Sequence, residues 1–236
     1  MAKDSEGRFE YGKGILNLTP QSWISHFWTT HRQKVARTLD AMIRTNSIVL
    51  FIGVGKGDVI LLLSSKNAIF VGIDLNKMWI AEARKYCNCI IADGSRIPLK
   101  NESIDLVICN MVLHHIVGQN GLESLIKENF RCLKKGGIFL SFKPNSFHPS
   151  GILLNLINRF RLYHSLFGGS NYKFAISPLL LSKLLKKIFR KAEMGNFTLS
   201  HSRFPIFIQK LIFGKLDSFF ESTPMISFSL ICEGIK

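Results

Sequence analysis

The chain has 236 residues, a formal net charge of +15 and a hydrophobic content of 47%. This length allows one large domain or two small ones, and the apolar content suffices for a sizeable core. No apolar run reaches about 18 residues, so we expect no transmembrane helix, and the polar start of the chain does not resemble a secretory signal.

The five cysteines are odd in number, which favours a reduced, cytoplasmic protein over a disulfide framework. Cys87 and Cys89 resemble half of a metal site, but no second Cys or His pair stands at a suitable spacing, so we expect no metal.

The positive charge is concentrated in residues 143–236, which also hold most of the 19 phenylalanines. Basic and aromatic side chains together are typical of contact with an anionic partner, such as a membrane surface, a phosphorylated substrate or RNA. A solvated basic surface over an ordinary core explains the same composition.

The hydrophobic pattern predicts helical residues at 21–44 and then an alternation of strands and helices. The strands are predicted at 47–52, 68–73, 87–91, 104–109 and 137–142, and the helices at 57–65, 77–85 and 120–133. Such an alternation indicates a parallel sheet covered on both faces. Beyond residue 142 the pattern predicts helices at 153–162, 178–191 and 206–220, and strands near 196–203 and 226–234.

Two strand ends carry the strongest functional signal. The first predicted strand runs into Gly53, Gly55 and Gly57, and the second ends in Asp74, which is the layout of a nucleotide-binding βαβ unit. Glycines let backbone N–H groups approach a ligand, and the acid can accept hydrogen bonds from ribose hydroxyls. Asp74 could instead cap the helix that follows it.

Four segments in this order, at 49–58, 71–74, 92–99 and 104–116, resemble class I S-adenosylmethionine-dependent methyltransferases. The resemblance is to the methyltransferase type 11 group, which includes quinone-biosynthesis C-methyltransferases, and the turn at 133–137 adds to it. It implies a Rossmann-like α/β fold with a seven-stranded, mostly parallel sheet, helices on both faces and an antiparallel last strand. It also implies a helical lead-in or lid at 1–46 and one methyltransferase domain at 47–236, with a cofactor half at 47–142 and substrate-side elements at 143–225.

The resemblance implies S-adenosylmethionine as the cofactor, bound beyond the carboxyl ends of the strands. The candidate cofactor-binding residues follow the strand ends: Gly53, Gly55, Gly57, Asp74, Leu75, Met78, Asp93, Gly94 and Asn110. In the family's pattern the glycines wrap the methionine part, Asp74 holds the ribose and Asp93, with the Gly94 backbone beside it, accepts from the adenine amino group. Met78 would pack on adenine, and the carbonyl of Asn110 would face the ammonium group. Asp93 as a plain turn residue and Met78 as a core residue are the alternatives.

His114 and His115 follow the fourth strand and are the candidate catalytic residues. A neutral imidazole there could orient an acceptor hydroxyl or take its proton. The alternative is that one ring packs internally and the other lines the cavity. Methyl transfer from a sulfonium has a good leaving group, so alignment can supply most of the catalysis.

Three positions depart from the family's pattern. Phe51 stands where an acid is usual, Lys56 where a small residue is common and Lys143 where Glu is common. Each change removes negative charge or adds positive charge near a cationic cofactor, yet we expect binding to survive. Asp105 opens the fourth strand, and we expect it to be structural.

The predicted activity is methyl transfer to a small or lipid-like acceptor, isoprenoid or phosphorylated. The acceptor would lie beneath an apolar and basic roof formed by 143–175, the N-terminal helices and the helix near 206–220. Helix 178–191 and segment 204–220 could also contact an anionic membrane. One alternative is an RNA methyltransferase, although the chain reads Asn-Met-Val-Leu where such enzymes carry Asn/Asp-Pro-Pro-aromatic. The others are a non-catalytic methyltransferase-like partner subunit, suggested by Phe51, and a nicotinamide dehydrogenase, disfavoured because Asp58 replaces the last glycine.

Overall fold

The computed structural model describes residues 20–63, 67–116, 118–148, 152, 176–200, 202, 204–212 and 229–236. Within them the helices and strands are, in chain order, α1 Gln21–Met42, β1 Ile48–Ile52, β2 Ile69–Asp74, α2 Lys77–Ala83, β3 Asn88–Ile91, β4 Ile104–Asn110, α3 Gly118–Cys132, β5 Leu133–Pro144, α4 Pro178–Ile188, β6 Lys191–Thr198, α5 Ile206–Leu211 and β7 Ser229–Ile235. Single turns of 3-10 helix lie at Ile60–Leu62 and Leu113–His115.

The strands form one seven-stranded sheet in the order β3-β2-β1-β4-β5-β7-β6. Strands β1 to β5 pair in parallel, and β7 lies antiparallel between β5 and β6. The predicted mostly parallel sheet with an antiparallel last strand is therefore confirmed. The chain builds β1, β2 and β3 outward and then returns to place β4 beside β1, so a crevice opens at the carboxyl ends of these two strands.

Apolar side chains on the two faces of the sheet form two cores. One core joins β1, β4 and β5 to α3 and α4 through residues such as Leu125 and Leu185. The other joins the same strands to α1 through residues such as Val35 and Leu39. This arrangement confirms helices on both faces and explains why the central strands read as continuous apolar runs.

Asp105 has the structural role that its position predicted. Its carboxylate accepts a hydrogen bond from Ile48 N–H at 2.9 Å and pairs with Lys134 Nζ at 2.8 Å. These contacts join the starts of β1, β4 and β5, at the edge of the sheet opposite the strand ends that carry the glycine turn.

The boundary between α4 and β6 lies earlier than the sequence predicted. The helix ends at Ile188 rather than 191, and the strand begins at Lys191 rather than near 196. Phe189 takes an extended conformation at the helix end and packs against Phe130 and Phe139, at ring-centroid distances of 5.4 and 5.5 Å. Burial of this ring ends the helix although the amphipathic pattern continues past it.

The predicted helix at 57–65 is also wrong over its described part, which holds only the 3-10 turn at Ile60–Leu62. Gly57 has a left-handed backbone (φ +84°), which an α-helix cannot include. Residues 64–66, the predicted helix at 153–162 and the stretches 213–220 and 226–228 lie outside the described residues.

Over the described ranges, no helix is long and apolar enough to cross a lipid bilayer. In the same part of the chain, no three His, Cys, Asp or Glu side chains come together in a way that could hold a metal ion. The sulfurs of Cys87 and Cys89 lie 3.3 Å apart as free thiols at the start of the edge strand β3.

Gly234 of β7 provides a test of the packing around Phe189. A Cβ at Gly234 would lie 2.7 Å from the Phe189 ring, whereas a Cβ at Gly195 of β6 would make an ordinary contact at 3.5 Å. We expect Gly234→Ala to lower the free energy of unfolding by ~1–3 kcal/mol because the ring has to move in a filled core. Gly195→Ala is the matched control, and urea denaturation measures both. Equal stability of the two variants would contradict this packing.

Candidate active site

The turn after β1 is built from three glycines in left-handed conformations, with φ of +66° at Gly53, +58° at Gly55 and +84° at Gly57. The Gly53 and Val54 N–H groups both donate to the Ile73 carbonyl, at 2.8 and 3.0 Å, and so fix the turn against the end of β2. A Cβ at Gly53 would lie 2.3 Å from the Val112 side chain. A Cβ at Gly55 would meet nothing within 4 Å, so the space beside Gly55 is open to a ligand.

Asp74 links this turn to the start of α2. Its Oδ2 accepts the Gly55 N–H at 3.0 Å, and its Oδ1 accepts the Asn76 N–H at 2.9 Å. The helix cap itself is Asn76, whose side chain accepts from Met78 and Trp79 N–H groups. A carboxylate has about four acceptor positions, so Asp74 keeps roughly two for the hydroxyls of a ribose.

Asp93 combines a turn with free acceptor capacity. Its Oδ1 accepts from both the N–H and the hydroxyl of Ser95, at 2.8 and 2.9 Å, as the turn interpretation predicted. Its other oxygen receives no hydrogen bond from the described residues and remains available to an amino group. Gly94 lets the backbone after Asp93 pack closely on Ile52 of β1, because a Cβ at this position would lie 2.6 Å from the Ile52 side chain.

Apolar side chains beside these two acids are exposed. Leu75 is 70% exposed, Met78 51% and Ile91 46%, and they follow or end β2 and β3. Met78 therefore does not pack in the core. Exposed apolar surface next to two carboxylates suits a flat heterocycle that also carries hydroxyl and amino groups.

Asn110 ends β4 at the same edge of the sheet. The next residue, Met111, has a left-handed backbone (φ +56°) and donates its N–H to the Phe142 carbonyl at 2.8 Å. Such strain in a residue without a glycine's freedom is typical of functional turns. The Asn110 Oδ1 lies 3.5 Å from Nε2 of His31 on α1.

Residues 50–141 match the family model described as "Methyltransferase domain". The matched range contains the glycine turn, Asp74, Asp93 and Asn110. The match identifies residues 50–141 as a methyltransferase domain. The cofactor of this family is S-adenosylmethionine.

One curated relative is the tRNA (carboxymethyluridine(34)-5-O)-methyltransferase of Arabidopsis thaliana, which is 30% identical over 139 residues, or 56% of this chain and 33% of that protein. The chain spans between a third and a half of the curated relatives it matches. An S-adenosylmethionine-dependent methyltransferase from Archaeoglobus fulgidus superimposes with a TM-score of 0.61 at 17% identity, covering 87% of this chain and 94% of that one. Phosphoethanolamine N-methyltransferase 2 of Haemonchus contortus, solved with phosphomonomethylethanolamine and S-adenosylhomocysteine, has a TM-score of 0.56 at 16% identity, covering 82% and 49%. At these identities the structural likeness establishes the fold.

The residues of the methyltransferase domain fit its cofactor. The open space beside Gly55 is the place that a side chain would otherwise fill, and Asp74 and Asp93 both keep unused acceptor positions. Gly53, Gly55 and Gly57 would hold the methionine part through backbone N–H groups, Asp74 the ribose, and Asp93 with Leu75 and Met78 the adenine. These individual assignments stay predictions.

Each of the three residues that depart from the family's pattern has its own local contacts. The Phe51 ring is 3% exposed and packs on Phe70 within the core on the α1 side. The Lys56 ammonium pairs with the Glu82 carboxylate of α2 at 2.9 Å. Lys143 is 1% exposed and donates to the Ile176 carbonyl at 2.9 Å. Burial lowers the pKa of Lys143 to about 8.

The two candidate catalytic histidines form a pair after β4, with ring centroids 4.0 Å apart. His114 is 6% exposed, whereas His115 faces the surface. Burial, reinforced by His115 and Lys143, lowers the pKa of His114 to about 3, and burial also lowers the pKa of His115. Both rings are therefore neutral at pH 7, and His114 is a weak base there. Their catalytic role stays a prediction.

His31 is the site residue that the sequence analysis missed. It lies on the buried stripe of α1 with Phe27 and Val35, at the spacing of one helical turn, where a polar residue attracts little notice. Burial, reinforced by Lys34 and Arg32 and opposed by Asn110, lowers the pKa of His31 to about 4, so the ring is neutral at pH 7. The signal in the sequence was a histidine on an otherwise apolar helix face.

Gly55 tests the cofactor site separately from the fold. Gly136 is the matched control, because it has a similar left-handed backbone (φ +74°), is equally open and lies near the start of β5. We expect both Gly→Ala variants to lose ~1–2 kcal/mol of stability from backbone strain. Only Gly55→Ala should weaken binding of S-adenosylmethionine, by about tenfold or more, because its Cβ enters the ligand space. Calorimetric titration measures this, and equal affinities would refute the placement of the cofactor.

Lys143 tests the energetic cost of a buried cation. We expect Lys143→Met to raise the free energy of unfolding at pH 7 by ~1–3 kcal/mol, because no carboxylate among the described residues pairs with the ammonium. The folded-state pKa, about 8, is below the ordinary 10.5. The unfolded chain therefore binds more protons between these values, and wild type gains stability relative to the variant as the pH rises from 8 to 10.5. Urea denaturation of both proteins at pH 7 and pH 10 measures the difference. A variant less stable than wild type at pH 7 would contradict this account.

Proposed function

We propose that the protein transfers a methyl group from S-adenosylmethionine to a small or lipid-like acceptor. The observation that supports this most directly is the open glycine turn at Gly55 beside Asp74 and Asp93, whose carboxylates keep acceptor capacity. Beside the tip of β4, the rings of Phe27, Trp28, His31, Phe142 and Phe197 contact one another. Trp28 is the partly exposed member of this otherwise buried cluster, and an aromatic surface there suits a flat or apolar acceptor better than a charged polymer.

The cofactor supplies an electrophilic methyl group on a sulfonium, whose carbon–sulfur bond breaks with the electron pair left on sulfur as the acceptor lone pair bonds to the methyl carbon. The chain's contribution is alignment: the glycine turn, Asp74 and Asp93 hold one reactant, and the tip of β4 at Asn110 faces the other. Alignment of this kind is worth roughly 7–11 kcal/mol in favourable cases. Burial lowers the pKa values of His31 and His114 to about 4 and 3, so both rings are poor bases at pH 7. Of the two candidate catalytic histidines, the exposed His115 is the one that could take a proton from the acceptor.

RNA is the second candidate acceptor. A net charge of +15 suits a polyanion, and the similarity to the Arabidopsis thaliana tRNA methyltransferase supports the same class. The third candidate is a non-catalytic partner subunit, and the feature that favours it is Phe51 in the position where an acid is usual. Peripheral contact with an anionic membrane stays a prediction, and Phe207 and Leu211, exposed one turn apart on α5, are the apolar residues that would make it.

Label transfer separates these functions. The protein is incubated with methyl-labelled S-adenosylmethionine and a cell extract, which is then separated into lipid, small-molecule and RNA fractions. We expect label in the lipid or small-molecule fraction, and Gly55→Ala as the control should lose about nine tenths of it at limiting cofactor.

Label confined to RNA would replace our proposal with the RNA alternative. Cofactor binding without label in any fraction would favour the non-catalytic subunit. A salt-dependent gel shift with RNA, measured in parallel, distinguishes RNA binding from RNA methylation.

A further inference from the structure

The contact between α1 and the tip of β4 carries an inference about the acceptor side of the site. His31 is fully buried, and its Nε2 lies 3.5 Å from the Asn110 Oδ1. Since the amide oxygen can only accept, the imidazole carries its proton on Nε2 and donates. The distance is long, as catalytic hydrogen bonds often are before a ligand binds.

The second ring nitrogen of His31 is unusual. Its Nδ1 is buried and has no hydrogen-bond partner within the described residues. The ring stacks on Phe27 at 5.8 Å and meets the edges of Trp28 and Phe197 at 5.6 and 5.4 Å. A phenylalanine would satisfy these neighbours equally well and leave no polar atom unpaired.

The imidazole therefore has a stability cost at a position where an apolar ring would fit. Sequences usually break such a local rule where a functional constraint applies. Among the described residues, Asn110 is the single polar contact of the ring. That contact fixes the amide oxygen toward α1 and leaves the amide nitrogen turned away from it.

The Asn110 side chain is only partly buried, and its nitrogen has no hydrogen-bond partner in the described part of the chain. Both N–H donors are thus available at the strand tip, beside the strained backbone of Met111 (φ +56°). In open α/β sheets this edge is where ligands bind.

We propose that His31 is a positioning residue of the acceptor site: it holds the Asn110 side-chain amide so that its N–H donors bind an oxygen of the methyl acceptor. The acceptor class is a molecule with a carbonyl, phenolic or phosphate oxygen close to the atom that is methylated. This inference rests on the proposed function, and it adds the feature of the acceptor that the site recognises.

The α1 helix is anchored well enough for such positioning. Lys34 Nζ donates to the Phe197 carbonyl, Gln209 Nε2 donates to the Trp23 carbonyl at 3.1 Å, and Arg32 pairs with Asp58 at 2.9 Å. These contacts hold both sides of the helix, so the His31 ring has a fixed distance from β4.

The test compares His31→Phe with His31→Gln, which retains an N–H donor. We expect the His31→Phe thermal midpoint to equal or exceed that of wild type, since the unpaired nitrogen is gone. Its affinity for S-adenosylhomocysteine by calorimetry should stay within about threefold, because the glycine turn, Asp74 and Asp93 are untouched. With the extract fraction that wild type labels, its rate should fall by about tenfold or more, and His31→Gln should recover part of this loss.

Nuclear magnetic resonance gives a readout that needs no acceptor. In wild type at pH 7 we expect the His31 ring to be protonated on Nε2, and the Asn110 side-chain N–H signals to shift in His31→Phe but to remain near wild type in His31→Gln. Protonation on Nδ1, unmoved Asn110 signals, an undiminished rate or a strongly lowered thermal midpoint of His31→Phe would each overturn the inference. Failure of wild type to bind S-adenosylhomocysteine would instead refute the proposed function, while the resonance experiment would still report on the His31 contact.

Discussion

The hydrogen bond from the Gly55 N–H to the Asp74 carboxylate is the interaction on which the cofactor site depends. Gly53, Gly55 and Gly57 are left-handed here, but in an isolated chain each glycine could adopt many other backbone conformations. A charge-assisted bond to the end of β2 selects one of them, and the two N–H groups on the Ile73 carbonyl reinforce it. The same carboxylate fixes Asn76, which caps α2, so one side chain sets two loops and still keeps acceptor positions for a ligand.

A chain of net charge +15 that binds a cation has to keep its basic side chains away from the sulfonium. Unit charges 4 Å apart interact by about 4 kcal/mol at an effective dielectric of 20, but charges beyond a Debye length of ~8 Å are largely screened. The few lysines near the cofactor site therefore affect the sulfonium more than the total net charge of the chain does. Lys56 is paired with Glu82, and Lys143 is buried against a carbonyl, so neither ammonium points freely into the crevice. The acids that end β2 and follow β3, Asp74 and Asp93, add negative charge at this edge of the sheet.

The sequence was sufficient for the features that repeat along the chain. Alternating apolar runs placed the five parallel strands, and the acid that opens the fourth strand was identified as structural because it was expected to face a lysine or backbone donors. The sequence was insufficient where the packing of a single side chain determines the end of an element or the exposure of a residue. The end of α4 depends on the Phe189 ring finding space between Phe130 and Phe139, which no helical period encodes. Likewise the exposure of Met78 depends on where α2 sits on the sheet.

His31 was hidden for the same reason. On one helix its polarity is an isolated irregularity, and only the return of β4 to the side of β1 brings Asn110 to it. Contacts between residues 79 positions apart depend on topology, which local propensity does not specify. The predictable part of the site is thus the cofactor half, where each ligand follows its own strand, and the acceptor half depends on tertiary packing.

The packing of α1 constrains how an acceptor can reach Asn110. On α1, Phe27, Val35 and Leu39 are fully buried, and exposing each would cost ~1.5–3 kcal/mol. The Arg32–Asp58 pair is partly exposed and worth at most about 1 kcal/mol, so apolar burial rather than this ion pair holds the helix in place. Lifting α1 as a lid would therefore cost a large share of the roughly 5–15 kcal/mol that stabilises a domain. The helix acts as a fixed wall, and an acceptor has to approach the strand tip along that wall rather than from beneath it.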